Sequence, residues 1–468
     1  EKTPDTYNAI LWAEQAGITH LYADGSFMPY ENCLREHVVT FLYRYANLEE
    51  FEPVETTVKV GAGVAEMIFP QEYFLELDES GNVVYQDERF NGQVYTFQGN
   101  KSEIVDNLCT RILLVEDGER AAIVSLEVAQ APDDQVAYTK MIVSEICDVK
   151  EENVWVHTTH QFGFGHRASA PKQAAIYDEV CQAAVKEAAE QAIASFQPAV
   201  LGIGVGESHV SANKNIINPE EPGVGPYYGP GSTLETDPTL TMIRFQSVET
   251  GEDIAYYMDY GTKPSALCNT GKGKSNCMVN TEVTGEACKL VEEEYGVPCV
   301  FCMPAAGDQY PRETAQYYGF DENGEWKLID IGFDEGIKIV ERLGAELGAD
   351  ALSVAKDIVC TVDDADVALG ATSFDYPNLA EDGTINVTLD ALQLGDIAFV
   401  GFKQEMDCVT GQQIQAGSPY ETTLLVSFLN GDGKYLGHKE AYDFNLGAGT
   451  WETKRSAFKI GAAEELVK

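Results

Sequence analysis

Basic residues are scarce in this chain. Against 76 aspartates and glutamates stand only 31 lysines and arginines, a formal net charge of −45 over 468 residues. A surface of that sign repels phosphate backbones and anionic lipid headgroups, which argues against nucleic acid or a membrane surface as a direct partner. Long apolar runs are also missing. No stretch of eighteen or more apolar residues occurs, so no transmembrane segment is expected. Paired cysteines are nearly absent too: the 11 cysteines are scattered and odd in number, unlike a disulfide-stapled small domain. Only Cys299 and Cys302 form a CxxC, inside the apolar GVPCVFCMP, with no second CxxC and no helix start. Buried strand cysteines are the expectation there. No secretory leader opens the chain, yet it begins with Glu1 rather than methionine, so export stays open.

The remaining composition, 44% hydrophobic and 10% aromatic, is that of a globular protein, long enough for more than one domain. Residues 1–46 read as two helices, Tyr7–Ala16 and Leu34–Tyr45, around a turn at Asp24–Gly25, too little to bury a core alone. Polar, acidic NLEEFEPVETT (47–57) reads as a linker. From 58 to 468 strands and helices alternate. Strands are expected at Val58–Val60, Thr110–Val115, Ala121–Leu126, Val154–Thr158, Val200–Val205, Thr241–Phe245, Cys299–Met303, Ile397–Phe402 and Thr423–Leu429. Helices are expected at Gln135–Cys147, Lys172–Phe196, Glu286–Tyr295 and Ile337–Lys356. This order implies an α/β fold, a layered mixed β-sheet domain flanked by helices.

Histidine is rare, with 7 copies, and three of them, His157, His160 and His166, fall in VWVHTTHQFGFGH (154–166). In an extended strand His157, Thr159 and Gln161 would face one side and His160 the other. Elsewhere the bland reading prevails. NTGKGKSN (269–276) has Cys268 where a phosphate loop needs glycine and reads as a surface loop. GIGVG (202–206) reads as strand, His209 and His438 as solvated, and Glu292–Glu294 as an exposed helix face.

WAEQAGIT (12–19), DGSFMP (24–29) and CLREHVVTFLYRYA (33–46) resemble one S-layer homology repeat, with Leu34 where a threonine is usual. The resemblance implies a cell-surface, extracellular location on a Gram-positive cell wall. It also implies a secondary cell-wall polymer as partner, bound together with further repeats.

Residues 57–468 resemble the neutral/alkaline non-lysosomal ceramidase family. The resemblance is carried by TRILLVEDGERAAIVSLEVA (110–129), ENVWVHTTHQFGFGH (152–166), AAEQAIASFQPAVLGIGVGE (188–207), PAAGDQYPR (304–312), FVGFKQEMDCVTGQQI (399–414), NGDGKYLGHKEAY (430–442) and FKIGAAEELV (458–467). Members are zinc amidases that cleave the N-acyl bond of ceramide. Their metal is held by the first His of a THTHSGPGG loop, a His in an HP motif, a Glu and a Tyr, with a position left for water.

Carried over residue by residue, the resemblance implies Glu405 and Tyr435 as metal ligands. Aligning Gly163 and Gly165 with the family's glycines puts the two loop histidines on Thr159 and Gln161. A one-residue slip brings in His160, and His157 offers another route, one pleat away. The HP histidine becomes Lys263, whose protonated ammonium cannot ligate zinc. Asn280 and Glu282 stand where a serine is expected, and Trp451 where a second tyrosine is. Asn213, Lys214 and Asn215 partly match an Asn-Arg pair at the substrate end. The candidate catalytic set is therefore His157, His160, Gln161, Lys263, Asn280 and Trp451, with Asn213 and Lys214 as substrate-binding residues. His160, Glu405 and Tyr435 are the metal set if zinc is retained.

Two functions follow from these replacements. One is a cell-surface protein whose zinc-amidase site is degenerate and which binds without catalysis. The alternative is an active zinc-dependent amidohydrolase of ceramide or a related N-acyl amide. In the first, the Lys263 ammonium takes the cation's place beside Glu405.

Overall fold

The computed structural model describes residues 55–86, 106–162, 167, 170–221, 223–268, 270, 279–379, 383–443 and 447–468. The chain divides into two units, residues 1–54 and Glu55–Lys468. The S-layer-like repeat, most of the expected linker, His166, the two loop glycines and most of the 269–276 loop lie outside the described residues. The second unit's bonding begins inside the expected linker, where the Thr56 hydroxyl donates to Ala199 O at 2.8 Å.

The unit is a mixed α/β fold built on an eight-stranded sheet. Its strands in chain order are β1 (Lys59–Met67), β2 (Leu108–Asp117), β3 (Glu119–Leu126), β4 (Val154–Thr158), β5 (Gln197–Glu207), β6 (Ser211–Ile216), which lies elsewhere, β7 (Thr239–Ser247), β8 (Asp253–Tyr260) and β9 (Cys299–Cys302). The order across the sheet is β9-β8-β7-β5-β1-β2-β3-β4. Only two residue pairs join β1 to β5, so the sheet is two four-stranded halves. Each half ends in a parallel pair, β3–β4 and β8–β9, and is otherwise antiparallel.

Alternation along the strands explains the layers. In β2, Ile112 and Leu114 face α1 (Asp133–Cys147) and α2 (Pro171–Ala194), while Leu113 and Val115 face the other way. In β7, Leu240 and Met242 meet α3 (Glu282–Tyr295) and α4 (Phe333–Ala355). The opposite face of both halves packs on a four-stranded sheet of β10 (Val367–Pro377), β11 (Thr384–Leu394), β12 (Ile397–Phe402) and β13 (Thr422–Val426). Trp155, Tyr257, Phe399 and Val426 share that second core. Cys299 and Cys302 are buried strand residues, as expected.

Two glycines let α2 lie directly on β1. A Cβ at Gly61 would stand 2.2 Å from Ala192 O, and one at Gly63 2.1 Å from Ala188 O. Both obstacles are helix backbone, so Gly63→Ala must push α2 outward. A stability loss of about 1–3 kcal/mol is expected in denaturant unfolding, with an unchanged m value.

Several expectations need correction. Helix α3 starts at Glu282, not Glu286, because the Asn280 side chain accepts the Glu282 N–H at 3.0 Å and Thr281 Oγ1 donates to Glu286 at 2.9 Å. The strand expected at Thr423–Leu429 stops at Val426, since Phe428 and Asn430 take left-handed backbone with φ of 51° and 58°. Glu292 is not part of a solvated face: its carboxylate receives the Arg111 guanidinium at 2.7 and 3.1 Å. The polar-faced hairpin β10–β11 went unforeseen, because most of β10 is exposed on both faces and shows no apolar alternation. Among the described residues no helix is long and apolar enough to cross a membrane.

Candidate functional site

The candidate residues gather where strands of the different sheets end. His157, next to the last residue of β4, ties two other strand exits to it. Met303 N–H, after β9, donates to its Nε2 at 3.2 Å, and its Nδ1 meets Ser427 O, after β13, at 2.7 Å. A donor on Nε2 fixes the proton on Nδ1, so the ring is neutral, and burial holds its pKa down at about 4. With both nitrogens engaged by backbone, His157 does not present a ligand atom.

The strand does not run on through the loop. It stops at Thr158, and His160 has φ of 60°, so the alternation expected across 157–161 is broken. This turn swings His160 over the Phe428 ring, stacked at 3.9 Å, with Nδ1 2.8 Å from Ala129 O. Its Nε2 then points at Glu405 Oε1, 3.6 Å away. Burial keeps this imidazole neutral, with a pKa lowered to about 3. Gln161 turns elsewhere, donating from Nε2 to Asn280 O at 2.5 Å.

Glu405 and Tyr435 sit opposite one another on two short paired strands, Glu405–Met406 and Tyr435–Leu436. The loop leaving β8 brings Lys263 to them. Its ammonium contacts Glu405 Oε2 and lies 3.3 Å from the Tyr435 hydroxyl. From β6 comes a second lysine, Lys214, 3.1 Å from the same hydroxyl and 3.3 Å from Glu452 Oε1. Lys214, Lys263 and Glu452 are 0%, 2% and 2% exposed. The centre is thus a buried quartet of two ammoniums and two carboxylates about one phenol, in charge balance.

Electrostatics follow from that geometry. Burial works to raise the Glu405 carboxyl, but Lys263, His160 and Lys214 outweigh it and bring its pKa to about 2. Lys263 is drawn down to about 8, first by burial and then by the Lys214 charge acting against Glu405. Both members of the pair are therefore ionised at neutral pH. Burial, and then the Glu405 charge, keep the Tyr435 phenol protonated.

These side chains do not fit a zinc ion as arranged. The Lys263 ammonium lies against the carboxylate oxygen that a metal would need, and Lys214 adds a second positive charge across Tyr435. Among the described residues, no group of three or more His, Cys, Asp or Glu side chains is placed to hold a metal ion.

The remaining candidates lie on one side of this centre. Asn213 donates to Asp308 Oδ2 at 2.9 Å, and Asn215 donates to Glu452 Oε2 at 3.1 Å. Trp451 N–H donates to Asn215 Oδ1 at 2.7 Å, and its ring carries the Arg455 guanidinium. Three participants went unforeseen: Glu452, Asp407 and His438. His438 is only partly exposed, and its Nδ1 meets Asp407 Oδ2 at 2.6 Å. Glu452 sits in polar GTWETK with no pattern to mark it, and its partner Asn215 is 237 positions away.

No family model matches the chain, and no curated protein matches it in sequence. Solved structures do match. A ceramidase complexed with C2 superposes with a TM-score of 0.61 at 13% identity, covering 88% of this chain and 74% of that one. A neutral ceramidase from Pseudomonas aeruginosa superposes at 0.59 and 14% identity, with the same coverage. The fold of residues 55–468 is therefore of the ceramidase kind.

Proposed function

We propose that this chain is a cell-surface protein in which a ceramidase-type scaffold has lost its zinc-amidase chemistry and binds a lipid or N-acyl amide without cleaving it. The observation that supports this reading is the Lys263–Glu405 contact: a fixed ammonium neutralises the carboxylate that the family resemblance assigns to the metal. A cation in place of a cation leaves Glu405 paired, which preserves the fold but supplies no open position for water. The lipid or N-acyl class is suggested by the ceramidase neighbours. The location, on a Gram-positive cell wall through the N-terminal repeat and a secondary cell-wall polymer, is suggested by the S-layer resemblance.

A second reading, an active zinc amidohydrolase, draws on the approach of His160 Nε2 to Glu405 at 3.6 Å beside Tyr435. It requires Lys263 to leave.

Metal analysis of the purified protein, with hydrolysis assays on N-acyl sphingoids and simpler N-acyl amides with and without added zinc, separates the two. The expected result is zinc well below one per chain and no turnover in either condition. Lys263→His should gain zinc, detected by metal content and by cobalt(II) absorption, since it exchanges the ammonium for a neutral ligand. Stoichiometric zinc in the wild type, or turnover abolished by Glu405→Ala, would overturn the proposal.

A further inference from the structure

Two unfavourable features meet at Glu282, the first residue of helix α3. Its backbone is left-handed, with φ of 56°, a conformation that strains any residue with a Cβ. Its carboxyl group is 0% exposed, yet among the described residues no lysine, arginine or histidine pairs with it. The carboxylate accepts two backbone N–H groups instead, that of Ala266 at 3.0 Å through Oε2 and that of Leu267 at 2.8 Å through Oε1. Burial pushes the group up to about 7, and what opposes burial is backbone N–H alone, from Leu267, Ala266 and Val283. A buried carboxylate without a cation weakens a fold unless hydrogen bonds offset its lost hydration. Here the offset comes from one segment of chain.

That segment is the loop leaving β8, and Ala266 and Leu267 follow Lys263 by three and four positions. Two N–H groups held by the two oxygens of one carboxylate fix the loop in orientation as well as in distance. A glutamine could not do this, because it offers one acceptor oxygen and sets a donor against the second N–H. Neighbouring bonds hold the same loop in register. Phe162 N–H donates to Pro264 O at 3.0 Å, and Ala315 N–H donates to Ala266 O at 2.8 Å. Asn280 joins the loops: its side chain accepts the Glu282 N–H at 3.0 Å, and its carbonyl accepts the Gln161 amide. The loop that carries Lys263 and the loop that carries His160 are thus both set against the start of α3.

We infer that Glu282 is a positioning residue for the charged centre: its carboxylate sets the loop so that the Lys263 ammonium rests on Glu405. The inference rests on the reading of Lys263 as the fixed cation of that centre, and the test separates the two. The whole chain is acetylated with N-acetoxysuccinimide at pH 8, and the rate at each lysine is read by peptide mass spectrometry, with exposed Lys186 as reference. In the wild type, Lys263 and Lys214 should both react at least tenfold more slowly than Lys186. Glu282→Gln should raise the Lys263 rate about tenfold and leave Lys214, which β6 carries and Glu452 holds, within threefold. Glu282→Gly should do the same with the backbone strain relieved, since glycine adopts a positive φ freely, and it decides the outcome if the glutamine variant does not fold. A Lys263 rate unchanged in either folded variant, Lys214 rising as much as Lys263, or failure of both variants to fold would overturn the inference and leave the reading of the centre intact. A wild-type Lys263 as reactive as Lys186 would overturn both.

Discussion

Lys263→Met should lower stability by about 3–5 kcal/mol in denaturant unfolding, the usual loss when one partner of a buried ion pair is removed. The loss arises from Glu405 more than from the lysine. Met fills the volume, but the carboxylate keeps its burial and loses the ammonium in contact with it. Lys214 does not take over, because it is bound to Glu452 and the far side of the Tyr435 hydroxyl. Neutralising both partners, as Lys263→Met with Glu405→Gln, should recover most of the loss, and the double-mutant cycle should report a coupling of several kcal/mol. A cycle near zero would mean that the pair is not held as described.

The same contact sets an acid limb. Glu405 titrates at about 2 in the folded chain against an ordinary value of 4.5. Between those values the folded state binds fewer protons than the unfolded state, so the stabilisation is complete above about 4.5 and lost as pH falls towards 2. Removing Lys263 raises the folded value, and the limb should move to higher pH in acid-unfolding curves.

How much of this was legible in the sequence depends on how local the cause is. Val154–Thr158 and Ile397–Phe402 fall where the apolar runs predict, because burial on both faces writes itself into consecutive residues. Helices α1, α2 and α4 are likewise legible from their one-sided apolar stripes. Strand β6 reads SANKNI and is silent, since its side chains serve a polar network rather than a core. Within the site, Lys263 facing Glu405 is legible only through the family resemblance, which assigns both to positions of the family's metal ligands. The alternation expected across the loop histidines fails for a backbone reason. A positive φ at His160 changes the direction of its side chain, and no periodicity in VWVHTTHQ marks it. Glu452, Asp407 and His438 depend on partners brought from distant chain positions, which spacing does not encode.

Arg111 is the second residue whose loss should be severe. Its side chain, 2% exposed, spans β2 to α3. It contacts Glu127 on one side and holds Glu292 bidentately at 2.7 and 3.1 Å on the other. Arg111→Leu should cost about 3–5 kcal/mol, because the Glu127 carboxylate stays buried and loses its largest cationic influence, keeping the Cys109 N–H at 2.7 Å and the weaker pull of the Lys289 charge. The pH dependence then has a definite sign. Burial already raises Glu127, and Arg111 is the largest influence opposing that rise. Without it the folded carboxyl holds its proton more tightly than the unfolded one, so the variant's stability should fall as pH rises above about 4.5. The deficit should be smaller at pH 5 than at pH 8, and Glu127→Gln added to Arg111→Leu should remove that difference. The damage should also reach the centre. Helix α3 begins just after Asn280, whose carbonyl holds Gln161 next to His160, so loosening the helix at Glu292 frees the loop that aims His160 at Glu405.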